Sequence, residues 1–482
     1  MANVLLMVPP LTPKELFVRG SGSSASLIPP LGLAYIAAHL RRAGHRCRII
    51  DGIADPQPVE TLCEEAKRFD VIGMSVVSAY AIRAIELIGA IKASGCSAPI
   101  VVGGPHVTAL PDSLLACGAD VAVVGEGELT MCQLVEELAT GRPNLPGVKG
   151  IAYRSGDRTV ATGRRELIHP LDQLDLPARD LLPMDRYHTS IARSSHQPSH
   201  SMLASRGCPG LCTFCSRVTF GTRVRYFGPG RIVDEFFELR DRYGARDVAV
   251  WDDNFPADPE VAIETCDRLR SRGFDHSWSV EARVDCITRE VLQALRDAGC
   301  TYIAYGFESG SQEILDRVRK HTTIEQMVGV VRMTKEAGIR IRGYFMLGLP
   351  GETADHVRRT IAFAKKLDVE LASFTLFVPL PGSLDYRRAQ QSGQFDPDYW
   401  KRQVLPEFNF LDRPIYVPDG MTESELLALH RSAYQQYYFR PKTLLRRIVS
   451  VRGLEDLMTM ASGAKTLIAN TLHRPDAAVK AG

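Results

Sequence analysis

Short apolar runs alternate with helical segments through residues 1–140 of this chain, and this alternation limits the fold more than any other feature. We interpret five runs as buried strands, at residues 4–8, 48–51, 71–75, 99–102 and 121–124. Helical periods separate them, for example at residues 31–43 and 81–93. Apolar strands that alternate with helices are typical of a parallel sheet covered by helices on both faces. Residues 1–140 are therefore predicted to form a doubly wound, flavodoxin-like α/β domain.

Glycine-rich turns follow the fourth and fifth predicted strands. Their sequences are Gly103-Gly104-Pro105-His106 and Gly125-Glu126-Gly127-Glu128. In open α/β sheets ligands bind beyond the carboxyl ends of the strands, and glycine allows a ligand to approach the backbone closely. Simple turn chemistry explains the same glycines equally well. No G-x-G-x-x-G follows the first strand, so a dinucleotide site lacks its fingerprint.

A second alternation of strands and helices begins near residue 196, after a polar, proline-rich linker predicted for residues 141–195. The linker contains a small predicted hairpin around Ser155-Gly156-Asp157. The second set of predicted strands lies at residues 199–204, 247–251, 278–283, 302–307, 340–347 and 371–378. Six strand–helix units predict a partial (β/α)6 barrel over residues 196–385, with its chemistry at the carboxyl ends of the strands. Residues 386–482 are predicted to form a small helical C-terminal extension.

Composition excludes several classes of protein. Lys plus Arg number 58 and Asp plus Glu 56, so the chain lacks the basic excess typical of nucleic-acid binders. Its longest apolar stretches fall short of the roughly 18 residues of a membrane span. Met1–Pro10 lacks the basic start of a signal peptide, and the eleven cysteines therefore indicate a reducing compartment. We expect a cytoplasmic enzyme.

Three cysteines lie close together in the loop after the first predicted barrel strand. Cys208, Cys212 and Cys215 form the pattern C-x3-C-x2-C. Three thiolates on one loop can hold three corners of a 4Fe–4S cluster and leave the fourth iron open to a substrate or cofactor. A zinc site would need a fourth Cys or His at similar spacing, and the next such residue is Cys266. A zinc site or a buried structural triplet remains the alternative.

With Phe214 before the third cysteine, the motif resembles the radical S-adenosylmethionine (SAM) superfamily. Other segments are similar to the branch with an N-terminal cobalamin domain, which includes the class B methylases and the anaerobic magnesium-protoporphyrin ester cyclases. These segments are Ser205-Arg206-Gly207-Cys208-Pro209, Trp251-Asp252-Asp253-Asn254-Phe255, Glu281-Ala282-Arg283-Val284-Asp285, Gly306-Phe307-Glu308-Ser309-Gly310 and residues 343–352. Both glycine turns also match that branch. The resemblance implies a cobalamin-binding domain followed by a radical SAM partial barrel.

The resemblance also implies three cofactors: a 4Fe–4S cluster, SAM and cobalamin. Cys208, Cys212 and Cys215 are the expected cluster ligands. The expected SAM contacts are Phe214, Asp252, Asp253, Glu281, Arg283, Glu308, Ser309 and Gly348. The expected cobalamin contacts are Ser75, Gly103, Gly104, Pro105, His106, Gly125, Glu126, Gly127 and Glu128.

Two of these roles are left open by the sequence. The family's Gly-Gly-Glu motif is replaced by Asp252-Asp253, so which carboxylate meets the SAM amino group is undecided. His106 is expected at the corrin periphery, because the D-x-H-x-x-G signature of cobalt-ligating histidines is absent. An ion pair inside the barrel is the structural alternative for the charged residues, and a hydrogen-bonded structural histidine is the alternative for His106.

The implied function is a cobalamin-dependent radical SAM C-methyltransferase. It would act on an unactivated carbon of a small, lipid-like, tetrapyrrole or secondary-metabolite substrate, through a 5′-deoxyadenosyl radical and methylcobalamin. A one-electron reductant of the flavodoxin or ferredoxin type is the expected partner. Two alternatives are an oxidative cyclase with the same cofactors and a non-catalytic cobalamin or cluster-binding sensor. The basic residues from Arg440 to Arg452 fit a solvated face, with a membrane-surface contact as the alternative.

Overall fold

The computed structural model describes residues 1–11, 15, 26–189, 196–402 and 414–443. Within these ranges the chain forms two large sheets, each built around parallel strands and flanked by helices. Two of the three hydrophobic clusters contain residues from both halves of the chain, so the halves share their cores. For example, Tyr35 of the first half stacks on Phe227 of the second, with ring centroids 6.0 Å apart.

The first sheet has seven strands in the order β2-β1-β3-β4-β5-β6-β7. Its parallel strands are β1 (Asn3–Val8), β2 (Arg46–Asp51), β3 (Val71–Ser75), β4 (Ile100–Gly103) and β5 (Val121–Val123). Its helices are α1 (Leu31–Arg42), α2 (Val59–Ala66), α3 (Ala81–Ala93), α4 (Pro105–Ala109), α5 (Pro111–Leu115) and α6 (Glu128–Leu138). The order 2-1-3-4-5 is that of a flavodoxin-like sheet, which confirms the predicted fold class.

An antiparallel hairpin extends this sheet. Its strands are β6 (Ile151–Ser155) and β7 (Arg158–Ala161), with β6 paired to β5. Gly156 has a φ of +61°, a conformation that suits glycine at a tight turn. The hairpin lies where the sequence predicted it, although its strands join the first sheet. The predicted domain boundaries at residues 140 and 195 stay a prediction.

The second sheet has six parallel strands, as predicted for a partial barrel. Their order is β8-β11-β12-β13-β14-β15, and a short antiparallel pair, β9–β10, follows β8. The strands are β8 (Ser199–Met202), β9 (Ser205–Arg206), β10 (Arg225–Tyr226), β11 (Asp247–Val250), β12 (Ser277–Ala282), β13 (Cys300–Glu308), β14 (Arg340–Leu347) and β15 (Leu371–Leu376). The helices are α7 (Pro229–Tyr243), α8 (Pro259–Ser271), α9 (Arg289–Asp297), α10 (Gln312–Arg317), α11 (Ile324–Glu336), α12 (Ala354–Leu367), α13 (Leu384–Gln391) and α14 (Glu423–Tyr438).

The two faces of the second sheet have different composition because successive side chains of a strand alternate. On β12, Trp278, Val280 and Ala282 are buried in the core beneath the helices. The alternate residues, including Ser279 and Glu281, are only partly buried and face the lumen of the partial barrel. On this strand the inner face is therefore polar.

Helix α14 of the C-terminal extension covers the edge strand β15. The hydroxyl of Tyr434 donates to the Phe374 carbonyl (3.0 Å) and accepts from the Phe374 amide (3.2 Å). Tyr438 bonds in the same way to the carbonyl and the amide of Ala372, at 2.7 and 3.1 Å. Two tyrosine hydroxyls thus replace a neighbouring strand at an edge that would otherwise be open to pairing.

The described part of the extension ends in basic residues that pair within the protein. Arg440 and Lys442 both form ion pairs with Asp368, at 3.3 and 2.8 Å. The predicted basic residues Arg446, Arg447 and Arg452 lie outside the described residues. In the ranges described, no helix is both long and apolar enough to cross a membrane.

Replacing Tyr434 and Tyr438 together with Phe is expected to lower the free energy of unfolding of the barrel by about 2–4 kcal/mol, because edge amides and carbonyls lose their partners. Thermal unfolding followed by circular dichroism would measure the effect. Tyr35→Phe is the matched control, since the buried Tyr35 hydroxyl has no hydrogen-bond partner among the described residues. Equal losses of stability in the double variant and in Tyr35→Phe would show that the two tyrosine hydroxyls do not stabilise the β15 edge.

Candidate functional site

A cavity of about 400 Å³ lies between the carboxyl ends of the two sheets. The first half of the chain contributes the end of β3 and both glycine turns. The predicted contacts among these lining residues are Ser75, Gly103, Gly104, Pro105, Gly125, Glu126, Gly127 and Glu128. The second half contributes Leu203, Arg206, Asp253 and five residues that follow the third cysteine, at positions 216, 217 and 219–221. The structure therefore brings the glycine turns and the end of the cysteine loop to one cavity, as expected for ligands at this edge of parallel sheets.

Close backbone packing explains one glycine of the first turn. Gly104 has a φ of +99°, and a Cβ there would lie 2.7 Å from the carbonyl oxygen of Val76. At Gly125 the φ is +94°, and a Cβ would meet nothing within 4 Å. A side chain at residue 104 would thus collide with the backbone at Val76, whereas a side chain at residue 125 would extend into open space.

A buried ion network joins the two halves of the chain at the cavity wall. Arg206 of β9 donates to Glu126 at 2.7 Å and to Glu128 at 2.5 Å. Arg225 of β10 donates to both oxygens of Glu126, at 3.1 and 2.9 Å. All four side chains are at most 4% exposed. The two carboxylates predicted as cobalamin contacts are therefore committed first to arginines of the barrel.

Arg206 also stacks between aromatic rings. Its guanidinium carbon lies 5.2 Å from the ring centroid of Tyr35 and 5.1 Å from that of Phe220. Both rings line the cavity. The arginine thus builds part of the cavity wall as well as the connection between the sheets.

The cysteine loop leaves the first barrel strand and turns back beneath the cavity. Cys212 is buried, and Cys208 and Cys215 are partly buried. Burial raises the pKa of the Cys215 thiol to about 12 and also raises the pKa of Cys208. Binding of iron by these residues therefore requires that they release protons.

The three thiols are not arranged around a single ion. In a tetrahedral zinc site the sulfur atoms lie about 3.8 Å apart. Among the described residues, the sulfur atoms of Cys208, Cys212 and Cys215 do not all lie within 4.8 Å of one another. Cysteine thiolates are the ligands of 4Fe–4S clusters, so the chemistry of the donor set fits that group.

Two buried cations lie next to Cys212. Arg283 points Nη1 at the Cys212 sulfur, 3.5 Å away, while it donates to both oxygens of Asp285 and to the Lys320 carbonyl. Lys320 forms a buried ion pair with Glu308 at 2.8 Å. The structure thus places the predicted residues Arg283 and Glu308 beside the cluster loop, each with a protein partner already bound.

The two adjacent aspartates after β11 have different surroundings. Asp252 is buried and accepts from the Ala204 amide (2.7 Å) and the Ser205 hydroxyl (2.6 Å). Burial raises its pKa to about 7. Asp253 opens onto the cavity, and desolvation by the surrounding protein raises its pKa as well. Asp252 therefore links two barrel strands, and Asp253 is the carboxylate available to a ligand.

The remaining predicted SAM contacts lie around the barrel mouth. Glu281 accepts from the Tyr344 hydroxyl at 3.1 Å inside the lumen, and Phe214 packs against a hydrophobic cluster shared by both halves. Ser309 is buried and bonds to the Thr360 hydroxyl. Gly348 has a φ of +83° and donates its amide to Glu352 at 2.7 Å.

His106 does not belong to the cavity lining. Its ring is buried, and both nitrogens lie 3.0 Å from a serine hydroxyl, those of Ser78 and Ser113. Desolvation lowers its pKa to about 4, so the ring is neutral. These contacts fit the structural alternative, a hydrogen-bonded histidine that holds the turn.

Two family models match the chain: a B12 binding domain over residues 21–135 and the radical SAM superfamily over residues 202–364. An uncharacterized methyltransferase of Pyrococcus horikoshii is 33% identical over 94% of this chain and 95% of its own length. The chain belongs to the cobalamin-binding radical SAM enzymes. It is a radical SAM methyltransferase by family, with a 4Fe–4S cluster, SAM and cobalamin as its cofactors.

Two further comparisons place this enzyme among its relatives. The anaerobic magnesium-protoporphyrin IX monomethyl ester cyclase of Rubrivivax gelatinosus is 28% identical over 87% of this chain and 75% of its own length. The radical SAM methyltransferase TsrM of Kitasatospora setae, solved with cobalamin and a 4Fe–4S cluster, superposes with a TM-score of 0.72. That match covers 97% of this chain and 99% of TsrM at 18% identity, and it shows that the two share a fold.

The cavity wall fits the amide-rich edge of a corrin. Five buried polar atoms on lining residues have no hydrogen-bond partner among the described residues: the Tyr35 hydroxyl, Glu128 Oε2, Arg206 Nε, Arg217 Nε and the Thr219 hydroxyl. They comprise one acceptor, two donors and two hydroxyls that can do both. Primary amides both donate and accept, so the side chains of cobalamin can bond to groups of each kind.

Sequence reasoning missed Lys320 and the cavity roles of Arg206 and Tyr35. Lys320 lies in the segment after α10, where no motif marks it. Arg206 stands within the quoted motif, two residues before the first cysteine, so its position in the sequence could have indicated a role at the cavity. Tyr35 lies on α1, whose helical period predicts only a buried face.

A separate group of potential ligands lies on the first domain. His45, Cys132 and Glu136 place ligand atoms within 4.8 Å of one another. His45 Nδ1 accepts the Ala2 amide hydrogen at 3.2 Å, so the neutral ring carries its proton on the other nitrogen. That nitrogen has no lone pair for a metal, and the group does not suit a metal site.

Arg206→Met is expected to lower the free energy of unfolding by about 3–5 kcal/mol, because it leaves the buried Glu128 carboxylate without its cation and removes one of the two arginines paired with Glu126. The cobalamin retained after reconstitution should fall with it, since the cavity wall is built on this arginine. Thermal unfolding and the cobalamin absorbance would measure both. Arg41→Met, which removes a partly exposed pair with Asp180, should cost at most about 1 kcal/mol. A similar loss in both variants would show that the network is dispensable.

Glu352 should make stability depend on pH. Burial raises its pKa from 4.5 to about 8, so the folded chain holds this proton more tightly than the unfolded chain. Its contribution is complete below pH 4.5 and is lost as the pH rises through about 8, at a cost on the order of 5 kcal/mol. Thermal unfolding of the wild type and of Glu352→Gln at pH 5 and pH 9 tests this. We expect the variant to lose less stability between the two values, and parallel curves would rule the effect out.

Proposed function

We propose that this enzyme is a C-methyltransferase that acts on an unactivated carbon of a small substrate. The observation that carries the proposal is the shared cavity, where the glycine turns of the cobalamin-binding domain face the segment that follows the cluster cysteines. When bound, the cluster and SAM supply a 5′-deoxyadenosyl radical, and methylcobalamin supplies the methyl group. The protein positions these groups and excludes water.

In this proposal, some residues of the chain bind the cluster and others bind SAM. Cys208, Cys212 and Cys215 hold the cluster. Asp253 takes the SAM amino group, because its carboxylate opens onto the cavity while the Asp252 carboxylate is bonded to Ala204 and Ser205. An ammonium there would stabilise a carboxylate charge that burial disfavours.

The cavity wall of the proposed methyltransferase shields reactive species from water. The rings of Tyr35 and Phe220 enclose the Arg206 guanidinium, and the ion network closes the wall behind it. A dry cavity protects a radical from side reactions. The fixed distance between the glycine turns and the cysteine loop holds both cofactors toward one substrate.

A second candidate is an oxidative cyclase that uses the same cofactors without methyl transfer. The Rubrivivax gelatinosus cyclase supports it, since that relative aligns over 87% of this chain. The fate of the SAM methyl group separates the two reactions. Label from methyl-deuterated SAM enters the product of a methyltransferase and stays out of the product of a cyclase.

We also propose a cytoplasmic location and a one-electron donor of the flavodoxin or ferredoxin type. All eleven cysteines of the chain are free of disulfides, which supports a reducing compartment. The reductant is needed because SAM cleavage consumes one electron.

Anaerobically reconstituted enzyme, given SAM, hydroxocobalamin and dithionite, should release 5′-deoxyadenosine. The variants Cys208→Ala, Cys212→Ala and Cys215→Ala should each abolish that release, because each removes a cluster ligand. Chromatography with mass detection measures the product, and Cys117→Ala, which lies outside the cysteine motif, is the matched control. Release by the three loop variants at the control rate would overturn the radical mechanism.

A further inference from the structure

Arg342 faces the lumen of the partial barrel with unused hydrogen-bond donors. Its Nη2 donates to the Ser373 hydroxyl at 3.0 Å. Its Nε and Nη1 are buried and have no hydrogen-bond partner among the described residues. A buried guanidinium donor without a partner lowers the stability of the fold. Such groups in native proteins are commonly bonded to a ligand, an ion or a water molecule.

The surroundings of Arg342 are aromatic rather than acidic. The guanidinium carbon lies 5.0 Å from the ring centroid of Tyr344, and Tyr302 and Tyr438 also act on its charge. Glu281 is the carboxylate that acts on its charge, and it accepts from the Tyr344 hydroxyl at 3.1 Å. Among the described residues, Arg342 forms no ion pair within 4.0 Å.

The strand register places Arg342 and Glu281 on the same face of the sheet. Arg342 pairs with Ala304, which pairs with Glu281, so all three residues face the lumen. Arg283 is two residues beyond Glu281 and reaches the Cys212 sulfur at 3.5 Å. Arg342 therefore shares the lumen with the strand that leads to the cluster loop.

We infer that Arg342 binds an anionic group of the substrate, a carboxylate or a phosphoryl group, and that the substrate is a small acid. The inference rests on the proposed function, because it takes the lumen beneath the cluster as the substrate's place. The free Nη1 can donate a charge-assisted hydrogen bond to an oxyanion, and the tyrosines suit an apolar or aromatic body attached to it.

Binding of simple aromatic probes tests this inference without turnover. The protein carries its cluster and cobalamin, and SAM and reductant are left out. Benzoate probes a carboxylate, phenylphosphonate a phosphoryl group, and benzamide is the neutral analogue. Isothermal titration should show that at least one of the two anions binds the wild type and that benzamide does not. Binding by one anion alone identifies the source of the negative charge.

Arg342→Gln should weaken binding of that anion by about tenfold or more, and Arg342→Lys should restore part of it. Arg340→Gln is the matched control, because Arg340 lies on the same strand and carries the same charge but is exposed. Retained cobalamin and cluster absorbance would show that each variant is folded.

Two results would overturn the inference. One is equal anion affinity in Arg342→Gln and the wild type, and the other is an absence of anion binding to the wild type, as expected if water alone fills the donors. These titrations measure anion binding and are independent of SAM cleavage. If the proposed function is wrong, the 5′-deoxyadenosine assay shows it. If Arg342 does not bind the anion, the titrations show it.

Discussion

The buried contact of Arg206 with Glu126 and Glu128 sets the relation of the two parallel sheets. Buried ion pairs contribute little net stability, because desolvation offsets their attraction, but they strongly disfavour arrangements that leave one charge alone. Glu126 stands just after β5, and Arg206 stands two residues before the first cluster cysteine. A tilt of one sheet against the other would be disfavoured because it separates these charges. The network therefore links the second glycine turn to the strand that leads into the cysteine loop, at the wall of the cavity that both line.

Features encoded in contiguous sequence were predictable. The alternation of apolar runs and helical periods predicted which segments are strands and which are helices, because each element depends on a local pattern. Cys208, Cys212 and Cys215 lie within eight residues and needed no tertiary contact to be grouped. The same holds for the glycine turns, since the carboxyl ends of parallel strands must lie at one edge.

Features that depend on distant pairing were not predictable. Arg206 lies 80 residues from Glu126 in the chain, and no local pattern relates them. Asp252 is buried and hydrogen-bonded, whereas Asp253 opens onto the cavity. Neighbouring residues at the end of a strand point in opposite directions, and the sequence does not show at which residue the strand stops. His106 likewise follows a glycine turn as a ligand would, yet the two serines that bond it, Ser78 and Ser113, lie in other elements.

Strand alternation also decides where substrate specificity can reside. On β14, Ile341, Phe345 and Leu347 pack outward beneath the helices, so packing constrains their size and polarity. Residues between them, Arg342 and Tyr344, face the lumen and are free of that constraint. Closure of the β15 edge by tyrosines of α14 keeps this inner face enclosed without a further strand. Because the outer residues preserve the fold, relatives that share it can carry different side chains at inner positions. The inner residues of the late barrel strands are thus where enzymes of this family can differ in substrate while the cofactor cavity stays the same.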